Sequence, residues 1–232
     1  MSIGFVIPSM RPIMVDRILH DLEHQTLKPD FVILVDNSTK YVRKRKYSYA
    51  LIIDRPGKNI GTNPAWNKAL RLNADYCGIL GDDYRLDNTA LEKMVYGLWL
   101  HHGSNNIPAG ATVPTLVQQR KRRPPKNNHV KIEVVRGECL STGKGQSAAV
   151  LMKKEVAHQI PLIPDHFKIF FGDNWISYHI IEKMGLGWVR LTHCHIYHIP
   201  GPNNVSAKLN YKGTLKNERK FWNQYLRSEG IR

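Results

Sequence analysis

The chain has 232 residues, 42% of them hydrophobic, enough for one α/β domain with its own core and a small appendage. A formal charge of +15, with no leader-like segment and no apolar run long enough to span a bilayer, argues against an integral membrane protein. It favours a cytoplasmic one with polyanionic partners. Three widely spaced cysteines, Cys77, Cys139 and Cys194, suit a reducing compartment and lack zinc-ligand spacing.

The apolar run at 3–7 (IGFVI), stopped by Pro8, predicts a first parallel strand. Pro12 then suits the first turn of a helix with apolar positions Ile13, Val15, Ile18, Leu19 and Leu22. Arg11, between them, either reaches a phosphate or is a solvated loop charge. A second strand at 31–35 ends in Asp36-Asn37-Ser38, which reads as a ligand contact or as a turn. The run 40–46 (KYVRKRK), flanked by Tyr41 and Tyr47, suits phosphate contacts and base stacking through residues such as Lys44 and Arg45, but equally a solvated face. A third strand at 51–53 leads into a loop where Gly57 and Gly61 let backbone approach a ligand. The helix opening at 62–64 presents free backbone N–H groups there.

The next strand, 76–80 (YCGIL), ends in Gly81-Asp82-Asp83. Two carboxylates at the end of a buried strand are costly unless neutralised, and strand ends in open α/β sheets are where ligands bind. A hard divalent cation carrying phosphate oxygens, Mg²⁺ or Mn²⁺, is the natural neutraliser; an Asp-rich turn is the plain alternative. A helix capped by Asp87-Asn88, with a core stripe through Leu91, Met94, Val95 and Leu98, ends at His101-His102. After a strand at 109–117 comes an arm rich in charge and proline, expected to be exposed and mobile, in which Arg120, Arg122 and Arg123 could clamp a phosphodiester or an anionic headgroup. Strands follow at 132–135 and 148–152, then Asp173 placed to cap a helix, a strand at 187–191 and a histidine cluster, His193, His195 and His198, for which a strand with outward-pointing histidines is the plain reading. The final stretch, 211–227, is a basic amphipathic helix that could touch the acceptor or a membrane surface.

Strand-Pro8-Ser9-x-Arg11-Pro12, then Asp36-Asn37-Ser38, Asn59-x-Gly61, Asn67 and Ile79-Leu80-Gly81-Asp82-Asp83, together resemble the inverting glycosyltransferases of the large family-two type. The likeness is good over roughly the first hundred residues and later rests on Asp173 and His198. It implies an α/β GT-A fold, a single Rossmann-like domain with a mixed central sheet, here at 1–205, with the basic helix of 206–232 packed on it. It also implies a nucleotide-diphosphate sugar donor, UDP-linked by preference, and Mn²⁺ or Mg²⁺ held by Asp83 and His198. The donor would lie against Pro8, Arg11, Asp36, Asn59, Gly61, Asn67 and Asp82, with Asp173 as general base. This chain departs from the family in having Gly81 where an outer carboxylate usually stands.

The charge exceeds what one nucleotide diphosphate requires, so the expected acceptor is DNA carrying a hydroxymethylated pyrimidine, as in compact phage-type enzymes, reached through a groove or by base flipping. A cell-surface or lipid-linked glycan is the alternative acceptor. A nucleic-acid-binding module that keeps the fold without catalysis is the alternative outside enzymology.

Overall fold

The computed structural model of the chain describes residues 1–99, 107–118, 132–135, 149–198 and 211–231. The strands are β1 (Ile3–Ser9), β2 (Phe31–Asp36), β3 (Ala50–Asp54), β4 (Tyr76–Leu80), β5 (Tyr84–Leu86), β6 (Ala109–Gln118), β7 (Ile132–Val135), β8 (Ala149–Lys153) and β9 (Gly187–His198). They form one sheet in the order β3-β2-β1-β4-β8-β6-β9-β5, with β7 also beside β9. The first four are parallel; β8 runs antiparallel to both β4 and β6, β6 is parallel to β9, and β5 and β7 are antiparallel to β9.

Each central strand alternates its side chains between two cores. One face carries Ile3, Phe5, Ile7, Leu34 and Leu151 against α1 (Pro12–Glu23) and α3 (Ala90–Trp99). The other carries Val6, Val35, Ile79, Val150 and Met152 against α2 (Thr62–Ala69), α4 (Lys154–Gln159) and α5 (Gly172–Tyr178). Burial on both faces explains why these strands read as unbroken apolar runs, each fully buried Leu or Ile contributing about 1.5–3 kcal/mol. The last helix, α6 (Tyr211–Ser228), sets Trp222 and Tyr225 among Phe167, Phe171, Trp175 and Tyr178.

The turn between β4 and β5 fixes the shape of the sheet. Four strand spacings separate the two in the sheet order, about 19 Å if the sheet were flat. The chain from Leu80 to Tyr84 can span at most about 14 Å. The far half must therefore curl back over the end of β4, and it brings the tip of β9 with it.

Several elements differ from the sequence reading. β5 and α4 were not anticipated, being too short to show a period. β9 continues past Leu191 to His198, because β6 pairs with it as far as Gln118↔His198 across an irregularity between Pro114 and Thr115. The first amide of α3 bonds to the backbone carbonyl of Asp87 (3.0 Å), so this helix begins later than the Asp87-Asn88 cap implied. Phe171, not Asp173, caps α5, and it does so in a left-handed conformation with φ 61°.

Candidate active site

β1, β2 and β4 end at the same edge of the sheet, where register pairs Ser9 with Asp36 and Pro8 with Val35. There the Ser9 hydroxyl donates to Asp82 Oδ2 (2.5 Å) and accepts from the Arg11 backbone N–H (2.9 Å). The Arg11 guanidinium closes on the same carboxylate, with Nε 3.4 Å from Oδ2 and Nη2 bonded to Oδ1. Nη2 also lies 3.2 Å from Asp83 Oδ2. The curl of the sheet, with Tyr84 paired to His198, sets His198 Nε2 3.2 Å from that same Asp83 Oδ2.

These contacts make the adjacent aspartates chemically different. Burial pushes the Asp82 carboxyl above the ordinary aspartate value, opposed by Arg11 and Ser9. Burial acts on Asp83 in the same direction, but the hydrogen bond to His198 and the charge of Arg11 outweigh it and hold Asp83 low. The Asp83 hydrogen bond in turn raises His198. The Asp82 side chain is 8% exposed and that of Asp83 25%, so Asp83 is the more open of the two to solvent.

The glycine at the head of the acidic turn has a steric cause. A Cβ on Gly81 would stand 2.6 Å from the Tyr84 ring and 3.0 Å from Asp83 Oδ1, which leaves no room for the outer carboxylate of the usual triplet.

Asp36 turns its carboxylate inward. It accepts from the Ser38 hydroxyl (2.6 Å), the Ser38 amide (3.2 Å) and the Tyr41 amide (2.9 Å), and Arg55 Nε lies 3.5 Å away. Asn37, the middle residue of the Asp36-Asn37-Ser38 element, ties the end of β2 to the glycine loop: its Nδ2 donates to Gly61 O (3.3 Å) and its Oδ1 accepts from Ile60 N (3.2 Å). Asn59 Oδ1 accepts from Gly61 N (2.9 Å). Gly61 has φ 94°, and a Cβ there would meet Lys168 O at 2.5 Å, so both conformation and space require glycine. Asn67 lies within α2 and spends both ends of its amide on Ile163, donating to its carbonyl (2.9 Å) and accepting from its N–H (2.7 Å).

Asp173 sits in the first turn of α5, its Oδ1 accepting from Asn174 N (3.0 Å). The loop before it is fastened on two sides. Lys168 O accepts from Thr62 N (2.8 Å) and Asn63 N (3.1 Å) at the start of α2, and Asn63 Nδ2 donates to Phe170 O (2.7 Å). From the other side Glu218 of α6, 2% exposed, accepts from Lys168 N (3.0 Å), Ile169 N (3.3 Å) and Phe170 N (2.8 Å). Sequence reasoning missed Glu218. Its signal was a lone carboxylate in a basic helix, in step with Leu215, Trp222 and Tyr225.

Lys44 and Arg45 lie on the β2–β3 loop, exposed with Arg43 and Lys46; Lys44 Nζ is 2.6 Å from Asp16. Arg120, Arg122, Arg123, Cys139, His101 and His102 lie outside the described residues. The structure thus gathers Ser9, Arg11, Asp82, Asp83 and His198 in direct contact, and sets Pro8, Asp36 and the Asn59–Gly61 loop along the same edge.

A divalent cation suits part of this set. Asp83 and His198 offer a hard oxygen and an imidazole nitrogen side by side, a pairing Mn²⁺ accepts with positions left for phosphate and water. Among the described residues no three His, Cys, Asp or Glu side chains form a ready cage, so water or ligand oxygens would complete the shell.

No protein-family profile matches this sequence, and no curated protein matches it. Solved structures do resemble it. Residues 1–349 of S. aureus TarS in complex with UDP share 13% identity at TM-score 0.62, over 89% of this chain and 63% of that one. GalNAc-T7 with UDP, GalNAc and Mn²⁺ shares 12% at TM-score 0.61, over 88% and 44%. The mannosyltransferase PcManGT from Pyrobaculum calidifontis, in complex with GDP-Man and Mn²⁺, shares 16% at TM-score 0.59, over 89% and 59%. The chain therefore spans less than two thirds of the length of each. At such identities the fold is what is shared, and it is the GT-A fold that the sequence led us to expect. Among the described residues no helix is long and apolar enough to cross a membrane.

Proposed function

We propose that this protein is a glycosyltransferase that moves a sugar from a nucleotide-diphosphate donor to an acceptor hydroxyl with inversion. The observation that carries this reading is the meeting of Asp83, His198 and Arg11 at the strand ends of a GT-A sheet. TarS has been solved with UDP and with UDP-GlcNAc, and PcManGT with GDP-Man, which supports the donor class. Pro8, Asp36 and the Asn59–Gly61 loop would line the nucleoside. Asp82, with Ser9, anchors Arg11 and borders the ribose. Asp83 and His198 would hold Mn²⁺ or Mg²⁺, which would neutralise the leaving diphosphate. Asp173 would take the acceptor hydroxyl proton as the new C–O bond forms and the bond from the anomeric carbon to the diphosphate breaks.

The acceptor in this reading is hydroxymethylated pyrimidine in DNA. Support comes from the formal charge of +15 and from the exposed run of Arg43, Lys44, Arg45 and Lys46 on the β2–β3 loop. Such an acceptor would put the reaction in the cytoplasm. The test is the mass of hydroxymethylated DNA after incubation with the protein, Mn²⁺ and a panel of nucleotide sugars. A gain of one hexose or N-acetylhexosamine is expected, lost in Asp83→Ala. Donor hydrolysis without gain by DNA would move the acceptor to a glycan, and neither product would reject the enzyme.

A further inference from the structure

The acidic pair is already served by a cation of the protein's own. Arg11 Nη2 stands 3.2 Å from Asp83 Oδ2, the same oxygen that His198 Nε2 approaches at 3.2 Å. Its side chain is only 17% exposed, and its grip on Asp82 through two nitrogens holds the guanidinium against that corner. We propose that Arg11 competes with the divalent ion for Asp83, so that the site takes up the cation together with a diphosphate and hardly at all alone. This rests on the reading in which Asp83 and His198 hold the metal.

Charge counting supports it. Asp82, Asp83 and Arg11 carry one net negative charge between them. A divalent ion alone would reverse that sign. An ion arriving with the two negative charges of a sugar-nucleotide diphosphate would restore it. An ion bonded to Oδ2 at about 2.1 Å would lie within about 5 Å of the guanidinium nitrogen. Even at the permittivity of water, repulsion at that distance weakens binding roughly tenfold.

The test is a Mn²⁺ titration followed by electron paramagnetic resonance, with Mn²⁺ alone and then with UDP or GDP present. Arg11→Gln should bind Mn²⁺ alone at least about tenfold more tightly than wild type. Arg11→Lys, which keeps the charge, should stay near wild type, and with the nucleoside diphosphate present the advantage of Arg11→Gln should vanish. Should Arg11→Gln fail to fold with Asp82 unpartnered, the comparison is made in the Asp82→Asn background, where Arg11→Gln/Asp82→Asn should bind Mn²⁺ alone at least about tenfold more tightly than Asp82→Asn. Equal or weaker binding of Mn²⁺ alone on Arg11→Gln substitution, in either background, would overturn the competition and leave the metal site standing. No Mn²⁺ binding by any form, with or without diphosphate, would overturn both.

Discussion

Glu218 should matter to stability and to turnover together. Its carboxylate is 2% exposed and accepts three backbone N–H groups of residues 168–170, at 2.8 to 3.3 Å in the closest contacts. Glu218→Ala strands all three donors in a place water reaches poorly. A hydrogen bond to a charged group contributes about 1.5–3 kcal/mol, and the three share one carboxylate, so the expected loss is about 3–5 kcal/mol rather than their sum. That is a large fraction of the roughly 5–15 kcal/mol that holds a domain folded. Glu218→Gln keeps one acceptor oxygen and should lose about half as much. The same loop bonds the start of α2 and leads into Asp173, so the proposed reaction should fall in kcat more than it rises in KM. Burial raises the Glu218 carboxyl above its ordinary value. Its stabilising share should therefore be greatest below the unfolded glutamate pKa and decline as pH rises through the folded one. Urea unfolding of the two variants and wild type across pH, with initial rates alongside, measures all of this. A Glu218→Ala midpoint within about 0.5 kcal/mol of wild type would show that these bonds do not hold the loop.

Three other outcomes follow from the geometry. Gly81→Asp, which would place a third carboxylate ahead of Asp82 and Asp83, should destabilise by about 1–3 kcal/mol because its Cβ meets the Tyr84 ring, and thermal melts will show it. Asn67→Ala should cost about 1–3 kcal/mol through the lost Ile163 pairing while leaving the nucleotide Kd nearly unchanged by calorimetry; a large rise in Kd would instead make Asn67 a donor contact. His179 is buried among Trp175, Tyr178 and Tyr225, with Lys183 and Glu229 its charged neighbours, and burial lowers its pKa. The unfolded chain then binds the extra proton, so stability should fall as pH drops below about 6.5 and on through the lowered folded value; His179→Phe should flatten that limb of the urea midpoint against pH.

The sequence disclosed what is local. β1, β2 and β4 are short apolar runs followed by Pro8, Asp36 and Gly81, and the stripes of α1 and α3 repeat at helical spacing, so these elements and the acidic corner were legible, although β1 runs on through Pro8 to Ser9 instead of stopping there. What neutralises that corner was not, because Arg11 lies 71 residues from Asp82 along the chain and only the parallel pairing of β1 with β4 brings them together. The polar end of β9 was legible only as one alternative for the histidine cluster, for a related reason. Residues such as His195 and Tyr197 carry no strand period of their own, and it is pairing with β6 and β5 that extends them. Asn67 shows the converse: a residue conspicuous in a motif, whose amide is occupied with holding a neighbouring loop.

The short link between β4 and β5 works as a tether rather than as a mere carrier of two acids. Because it draws the far rim of the sheet inward, its length sets how near the imidazole of β9 comes to the carboxylate beyond β4. Chain length at this point is thus a chemical variable: one added residue would slacken the arc and part the imidazole from the carboxylate.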